Sequence, residues 1–335
     1  MRELSKDFLD DLKSTNGLLH PILERVRQDD TLMLAIRGNY INIYYRGGNL
    51  LRVKEQGKDT YQSSFDDQYN KFGKTVPILP TTIKDQVDAR AWVDEFQRLK
   101  EIMDIYFSNK SKPEREFQQL VARENNNSTI SNESEYFVSD IEFADLGLGA
   151  RFDMLAIRWL ASHRKNGSNC RAALIEMKYG DGALGGSAGL LKHLQDIDAL
   201  VSDNDKYKSL LETIEAQFNQ LDELGLLSFN RSSHGTKVKL VAADKPEVIF
   251  ILANHNPRST KLSSILDSPE VVAFGQTQHF DLKFFVSSFA GYGLHSDCML
   301  TLTQFRKLLK TKMPSKALHR SAFPLPSKAD DELLR

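Results

Sequence analysis

Asp153 and the group Glu176-Met177-Lys178 are the residues of this chain whose types and spacing can do chemistry. Each sits in an apolar run (152–157 and 173–178) where burial alone would place hydrophobes. Side chains alternate along a strand, so Glu176 and Lys178 take one face, and Ile175 and Met177 the other. Two carboxylates brought close together repel, and they stay ionised only with a cation between them. Mg²⁺ takes oxygen ligands and keeps several waters. Asp153, Glu176 and the backbone carbonyl of Met177 can supply three of its ligands. Such an ion lowers the pKa of a bound water and neutralises charge developing on a phosphate. Lys178 can orient or deprotonate the attacking water and stabilise a pentavalent transition state. A lysine beside Mg²⁺ can also have a depressed pKa, which suits that role. Glu-x-Lys alone is a weak signal, since it recurs on solvated strand faces. The neighbouring elements give it weight.

Those elements must bring the three side chains together. From residue 113 the expected order is helix, three strands, helix, strand. Pro113 suits the first turn of a helix over 113–125. Segments 136–144 and 151–160 read as strands joined by the Gly-bearing turn 146–149, and 171–179 reads as a third strand. A glycine-rich stretch, 180–189, opens a helix running to about Val201, and an amphipathic helix covers about 205–224. Segment 246–253 is almost wholly apolar, as a central strand is, and 279–287 reads as a further strand.

Ahead of this, residues 1–30 look helical. Segments 31–37, 40–45 and 50–53 form an antiparallel meander turning at Gly38-Asn39 and Gly47-Gly48-Asn49. Trp92, Phe96, Leu99, Met103 and Tyr106 recur at helical spacing over 85–107. The expected organisation is an N-terminal α+β accessory domain at 1–110, an α/β domain with a mixed sheet flanked by helices at 111–305, and a basic, Pro-containing tail at 306–335.

This order and these residues resemble the PD-(D/E)XK nuclease superfamily, the fold of many restriction and RecB-like nucleases. The resemblance covers roughly 113–255. It implies a restriction-endonuclease-like core in which a helix precedes a strand hairpin. The hairpin's second strand carries an Asp, and the next strand carries Glu/Asp-x-Lys. Asp153 matches the first acid and Glu176-Met177-Lys178 the second element. Phe152 stands where the family often has proline, and the loop 161–170 lengthens the connection.

The resemblance also implies a glutamate on the leading helix. Glu116 is the first choice, with Glu114 and Glu124 as rivals. In RecB-like members a glutamine on the helix after the third strand lines the site, and Gln195 is the match here, near Lys192 and His193. The implied activity is Mg²⁺-dependent phosphodiester hydrolysis, with Mn²⁺ substituting, on DNA rather than RNA. Asp153, Glu176 and the Met177 carbonyl would be metal ligands and Glu116 an outer carboxylate. The alternative is a nuclease-fold module without activity that binds nucleic acid or a protein partner. The complete Asp, Glu and Lys set speaks against it.

Bulk properties agree with an ordinary globular chain: 335 residues, 41% hydrophobic and 27% charged. A formal net charge of −1 supplies no global field toward nucleic acid, so any such surface must be local. Two cysteines, Cys170 and Cys298, argue against a disulfide framework and point to a reducing compartment. The charged start MRELSKDFLDDLK is no signal peptide, and no apolar run suits a bilayer span, so a cytoplasmic protein is expected.

The accessory domain would provide target recognition, a protein partner surface or a homodimer contact. Other motifs are weaker. Gly180-Asp-Gly-Ala-Leu-Gly185 matches G-x-G-x-x-G, but no strand ending in an acid follows at the distance a dinucleotide fold needs. Tyr40, Tyr44, Tyr45 and Arg46 could stack on bases. Arg306, Lys307, Lys310, Lys312 and Lys316 could touch a phosphate backbone.

Overall fold

Tight turns set the first part of the chain. Gly38 (φ 93°) and Gly47 (φ 71°) adopt the left-handed region that glycine reaches without strain. At Gly47 a side chain would also collide with the Arg115 backbone, its Cβ lying 2.5 Å from the Arg115 carbonyl carbon. The structure, a computed structural model, describes residues 2–72, 75–127, 134–164, 167, 169–229, 237–255, 259–285, 293–294 and 296–312.

Among the described residues the strands form two sheets. The first contains β1 (Leu32–Ile36), β2 (Tyr40–Tyr45), β3 (Gly48–Gly57), β4 (Thr60–Ser64) and β5 (Thr82–Ile83). They lie in sequence order and every pair is antiparallel. Its core packs against α1 (Lys6–Lys13), α2 (His20–Gln28), α3 (Gln86–Asp94) and α4 (Phe96–Asn109). The single helix expected over 85–107 is thus two helices meeting at Glu95. The Asp85 carboxylate caps the first by accepting the Val87 and Asp88 N–H groups. β4 and β5 were not foreseen.

The second sheet contains β6 (Tyr136–Asp145), β7 (Ala150–Arg158), β8 (Arg171–Tyr179), β9 (Glu247–Ala253), β10 (Asp281–Phe285) and β11 (Met299–Thr301). Its order is β11-β10-β9-β8-β7-β6. The β6–β7–β8 meander is antiparallel, β8–β9–β10 run parallel, and β11 returns antiparallel. One face is covered by α6 (Leu190–Ser202), α7 (Asn204–Glu223), α8 (Lys261–Leu266), α9 (Pro269–Phe274) and α10 (Leu302–Lys312). α5 (Pro113–Asn126) covers the other face together with Met33, Ala35 and Tyr44 of the first sheet.

The chain is therefore a mixed α/β fold with two sheets flanked by helices. α8, α9, β11 and α10 had no counterpart in the sequence reading. α10 also takes in Arg306, Lys307 and Lys310, where a tail was expected to begin. Residues 313–335, with Lys316, lie outside the described residues.

The two sheets interlock. Arg37, just past β1, donates to the Asp140 carboxylate and the Ile141 carbonyl of β6, and to the Tyr44 hydroxyl at 2.9 Å. Gln217 of α7 donates to the Ile36 carbonyl at 2.8 Å and to Asp140 at 2.9 Å. Asp140 is fully buried, so these donors replace the water it has lost. Deleting one partner of such a pair costs about 3–5 kcal/mol. No helix among the described residues is long and apolar enough to cross a membrane.

Candidate active site

β7 and β8 pair only as far as Met154 opposite Ile175. Beyond that point β8 continues to Tyr179 against β9. Asp153 fills the opening: its Oδ2 accepts the Met177 N–H at 2.8 Å. The strand alternation places the next groups as expected. Ile175 and Met177 pack into the layer containing α5. Glu176 and Lys178 turn to the α6 side, where His193 meets them.

Glu176 is fully buried. Its Oε2 lies 2.6 Å from His193 Nδ1 and 3.4 Å from Lys178 Nζ. Its Oε1 has no hydrogen-bond partner among the described residues. A buried carboxylate oxygen without a donor is costly, and cation coordination is one way to satisfy it. Lys178 is almost as deep, at 5% exposure, with Nζ 3.2 Å from His193 Nε2. Glu114, in the first turn of α5, reaches the same corner and accepts the Tyr179 N–H on Oε2 at 3.3 Å.

Glu114, Arg151, Asp153, Lys178 and His193 line one cavity of about 490 Å³. Arg151 stands at its rim, its side chain 73% exposed and 3.8 Å from Glu142. Glu142 has a nearer partner in Arg115, at 3.0 Å. Burial, then the charge of Glu176, push the Asp153 carboxyl up to about 8; the Met177 N–H and Lys178 oppose this, and Glu114 adds to it. Acids crowded in this way are a common signature of a functional site.

The sequence candidates divide. Asp153, Glu176, Lys178 and the Met177 backbone converge, although the bond seen at Met177 is made by its N–H. Glu116 does not join them. It takes two bonds from Arg46, at 2.8 and 3.2 Å, on the side of α5 facing the first sheet. Glu114, a rival, is the helix glutamate at the site. Glu124 lies ten residues further along α5, roughly 15 Å away along the axis. Gln195 is exposed and lines a separate cavity with Ser264 and Ser268.

His193, noted near the site but not chosen, is the residue that α6 delivers. Its signal was available: Leu190, Leu194 and Ile197 are the buried stripe of α6 and flank position 193. Other motifs take ordinary places. Tyr44 bonds Arg37, Tyr45 bonds Asp104, and Arg46 bonds Asp104 and Glu116. Gly182 and Gly185 line the cavity, and α6 begins only at Leu190, after a 3-10 turn. Arg306 pairs with Asp267.

Among the described residues no three His, Cys, Asp or Glu side chains form a ready metal cage. The donors that do fit a hard divalent ion are the Asp153 carboxylate and the open Glu176 Oε1. Compared with family models, curated proteins and solved structures, the chain matches none.

Proposed function

We propose that the protein is a metal-dependent nuclease of the restriction-endonuclease-like class, hydrolysing phosphodiester bonds in DNA. One observation carries this reading. A fully buried glutamate keeps one oxygen without a hydrogen-bond partner among the described residues, beside a second carboxylate that it electrostatically opposes. A divalent cation relieves both conditions at once.

Asp153 and Glu176 would hold Mg²⁺ or Mn²⁺, with backbone and water completing the shell. When bound, the ion supplies Lewis acidity and a water of lowered pKa. The chain does the rest. Asp153 is oriented by its bond to the Met177 amide. Lys178 brings a positive charge, buried against Glu176 and His193, to the cavity wall, where it would orient water and stabilise a developing phosphorane. Arg151 at the rim would take a neighbouring phosphate. Glu114 adds a carboxylate to the cavity lining. Cys170, which is buried, and Cys298 form no disulfide with each other, which fits a reducing, cytoplasmic setting.

The test is cleavage of supercoiled, linear and single-stranded DNA, and of RNA, in Mg²⁺ or Mn²⁺. The parent protein is run beside Asp153→Asn and Lys178→Ala, each checked for folding by circular dichroism. Metal-dependent cutting that both substitutions abolish supports the reading. Equal cutting by all three proteins assigns the activity to another site or a contaminant.

A further inference from the structure

We infer that His193 is a positioning residue of this site, set against both Glu176 and Lys178 so that Glu176 offers Oε1 alone to a divalent cation. The inference rests on the metal-dependent reading above and adds to it a residue outside the Asp…Glu-x-Lys set.

The two neighbours of the ring dictate one arrangement. A lysine ammonium is a donor only, so the 3.2 Å contact from Lys178 Nζ requires His193 Nε2 to accept. Nδ1 then carries the ring proton, and it faces Glu176 Oε2 at 2.6 Å, where an acceptor is needed. The partners on both edges thus fit one placement of the ring proton. The direct Lys178–Glu176 contact is the longest of the three, at 3.4 Å. Lys178 Nζ donates across that span to Oε2, and the imidazole lies nearer to each of the two groups.

The ring is held there by α6. The His193 N–H donates to the Gly189 carbonyl at 3.1 Å, and Leu190, Leu194 and Ile197 anchor the helix face beside it. Its side chain is 22% exposed and borders the cavity. Without the ring, Lys178 loses its acceptor at Nε2, and its 3.4 Å ion pair with Glu176 can tighten. Nζ would then compete for the carboxylate and leave the cavity wall. With the ring, Oε2 is occupied by His193 Nδ1 and Lys178 Nζ, and Oε1 is left without a partner among the described residues. Partners behind metal ligands typically change metal affinity or activity about 10–100-fold.

The experiment measures Mn²⁺ binding by isothermal titration calorimetry without nucleic acid, and steady-state cleavage of DNA. It uses the full chain, His193→Ala and His193→Asn, with Glu176→Gln and Asp153→Asn as references. Thermal melting in EDTA verifies folding. In His193→Ala, Mn²⁺ affinity should fall at least about tenfold and kcat about 10–100-fold, with KM for DNA unchanged. His193→Asn restores an amide donor near Nδ1 but no acceptor for Lys178. It should recover Mn²⁺ affinity to within a few-fold while kcat stays low. Parent-like Mn²⁺ binding and kcat in a folded His193→Ala protein overturn the inference, as does an effect on KM alone. If His193→Ala does not fold, the same criteria apply to His193→Asn, where a parent-like kcat is the overturning result. If instead Glu176→Gln and Asp153→Asn bind Mn²⁺ like the parent, the metal reading itself fails, which is a separate result.

Discussion

The Asp153 carboxylate and the Met177 amide meet at 2.8 Å where β7 parts from β8. A side chain thus takes the place of a strand carbonyl in the ladder. The arrangement has two effects. It satisfies a backbone N–H that the departing strand would have orphaned. It also fixes the first acid against the segment that carries Glu176 and Lys178. One carboxylate oxygen is engaged by the strand, and Asp153 still lines the cavity. Site geometry and strand divergence are therefore one feature.

That position makes stability depend on pH in the metal-free protein. Asp153 is pushed up to about 8, first by burial and then by Glu176. A carboxyl with a folded pKa above its unfolded value binds its proton more tightly when folded. Its contribution to stability is complete below the unfolded value of about 4, falls as pH rises toward the folded value, and is flat above that. Asp153→Asn keeps an acceptor for the Met177 N–H and removes the titration. The melting temperature of the variant minus that of the parent, in EDTA, should grow between about pH 5 and pH 8. A difference constant across that range contradicts the assigned shift.

A divalent cation should reverse the effect. Binding to the folded state alone stabilises by RT ln(1 + [L]/Kd), or about 2.7 kcal/mol at a hundredfold excess over Kd. Mn²⁺ or Mg²⁺ should raise the melting temperature of the parent by several degrees. Neither should do so in Asp153→Asn or Glu176→Gln. Equal rises in all three proteins place the cation elsewhere.

Arg151 supplies a prediction about substrate. It stands two residues before Asp153, lines the cavity, and among the described residues has one acidic partner, distant and shared with Arg115. A cation in that state is available to a phosphate. Arg151→Ala should raise KM for DNA with kcat near the parent value. It should also lower the slope of log affinity against log salt by about 1, as loss of one phosphate contact does. An unchanged salt slope removes Arg151 from the interface.

The period of two along a strand is unambiguous, which is why the sequence put Glu176 and Lys178 on one face. Most elements from α5 to β9 were legible for the same reason: apolar periodicity, Pro113 at a helix start and glycines at turns. Helix faces were not. Glu116 was preferred to Glu114, and Gln195 to His193. In each case the chosen residue stands two positions from the one at the site, roughly 200° around the helix. For α5 the burial of Gln118, Gln119, Val121 and Ala122 gives two inward sides. Gln119 bonds Gly47, Thr31 and Tyr44 of the first sheet region, which takes Glu116 to that side. A helix between two sheets has no single polar face to read, and the partner sheet is invisible in local spacing. β5 and β11 were missed because strands of two and three residues carry no periodicity.

The two glutamates of α5 turn that lesson into a last prediction. Glu114 borders the cavity and accepts the Tyr179 amide, so Glu114→Gln should lower kcat about 10–100-fold, as loss of a supporting carboxylate does. Glu116 is bonded to Arg46 in a pair whose side chains are 43% and 35% exposed. Water screens such a pair, and its removal should change unfolding free energy by less than about 1 kcal/mol and leave cleavage unaltered. Urea unfolding and single-turnover cleavage of both variants separate the cases. A large catalytic loss in Glu116→Gln with none in Glu114→Gln would return the role to Glu116, and would require α5 to rotate about its axis when DNA binds.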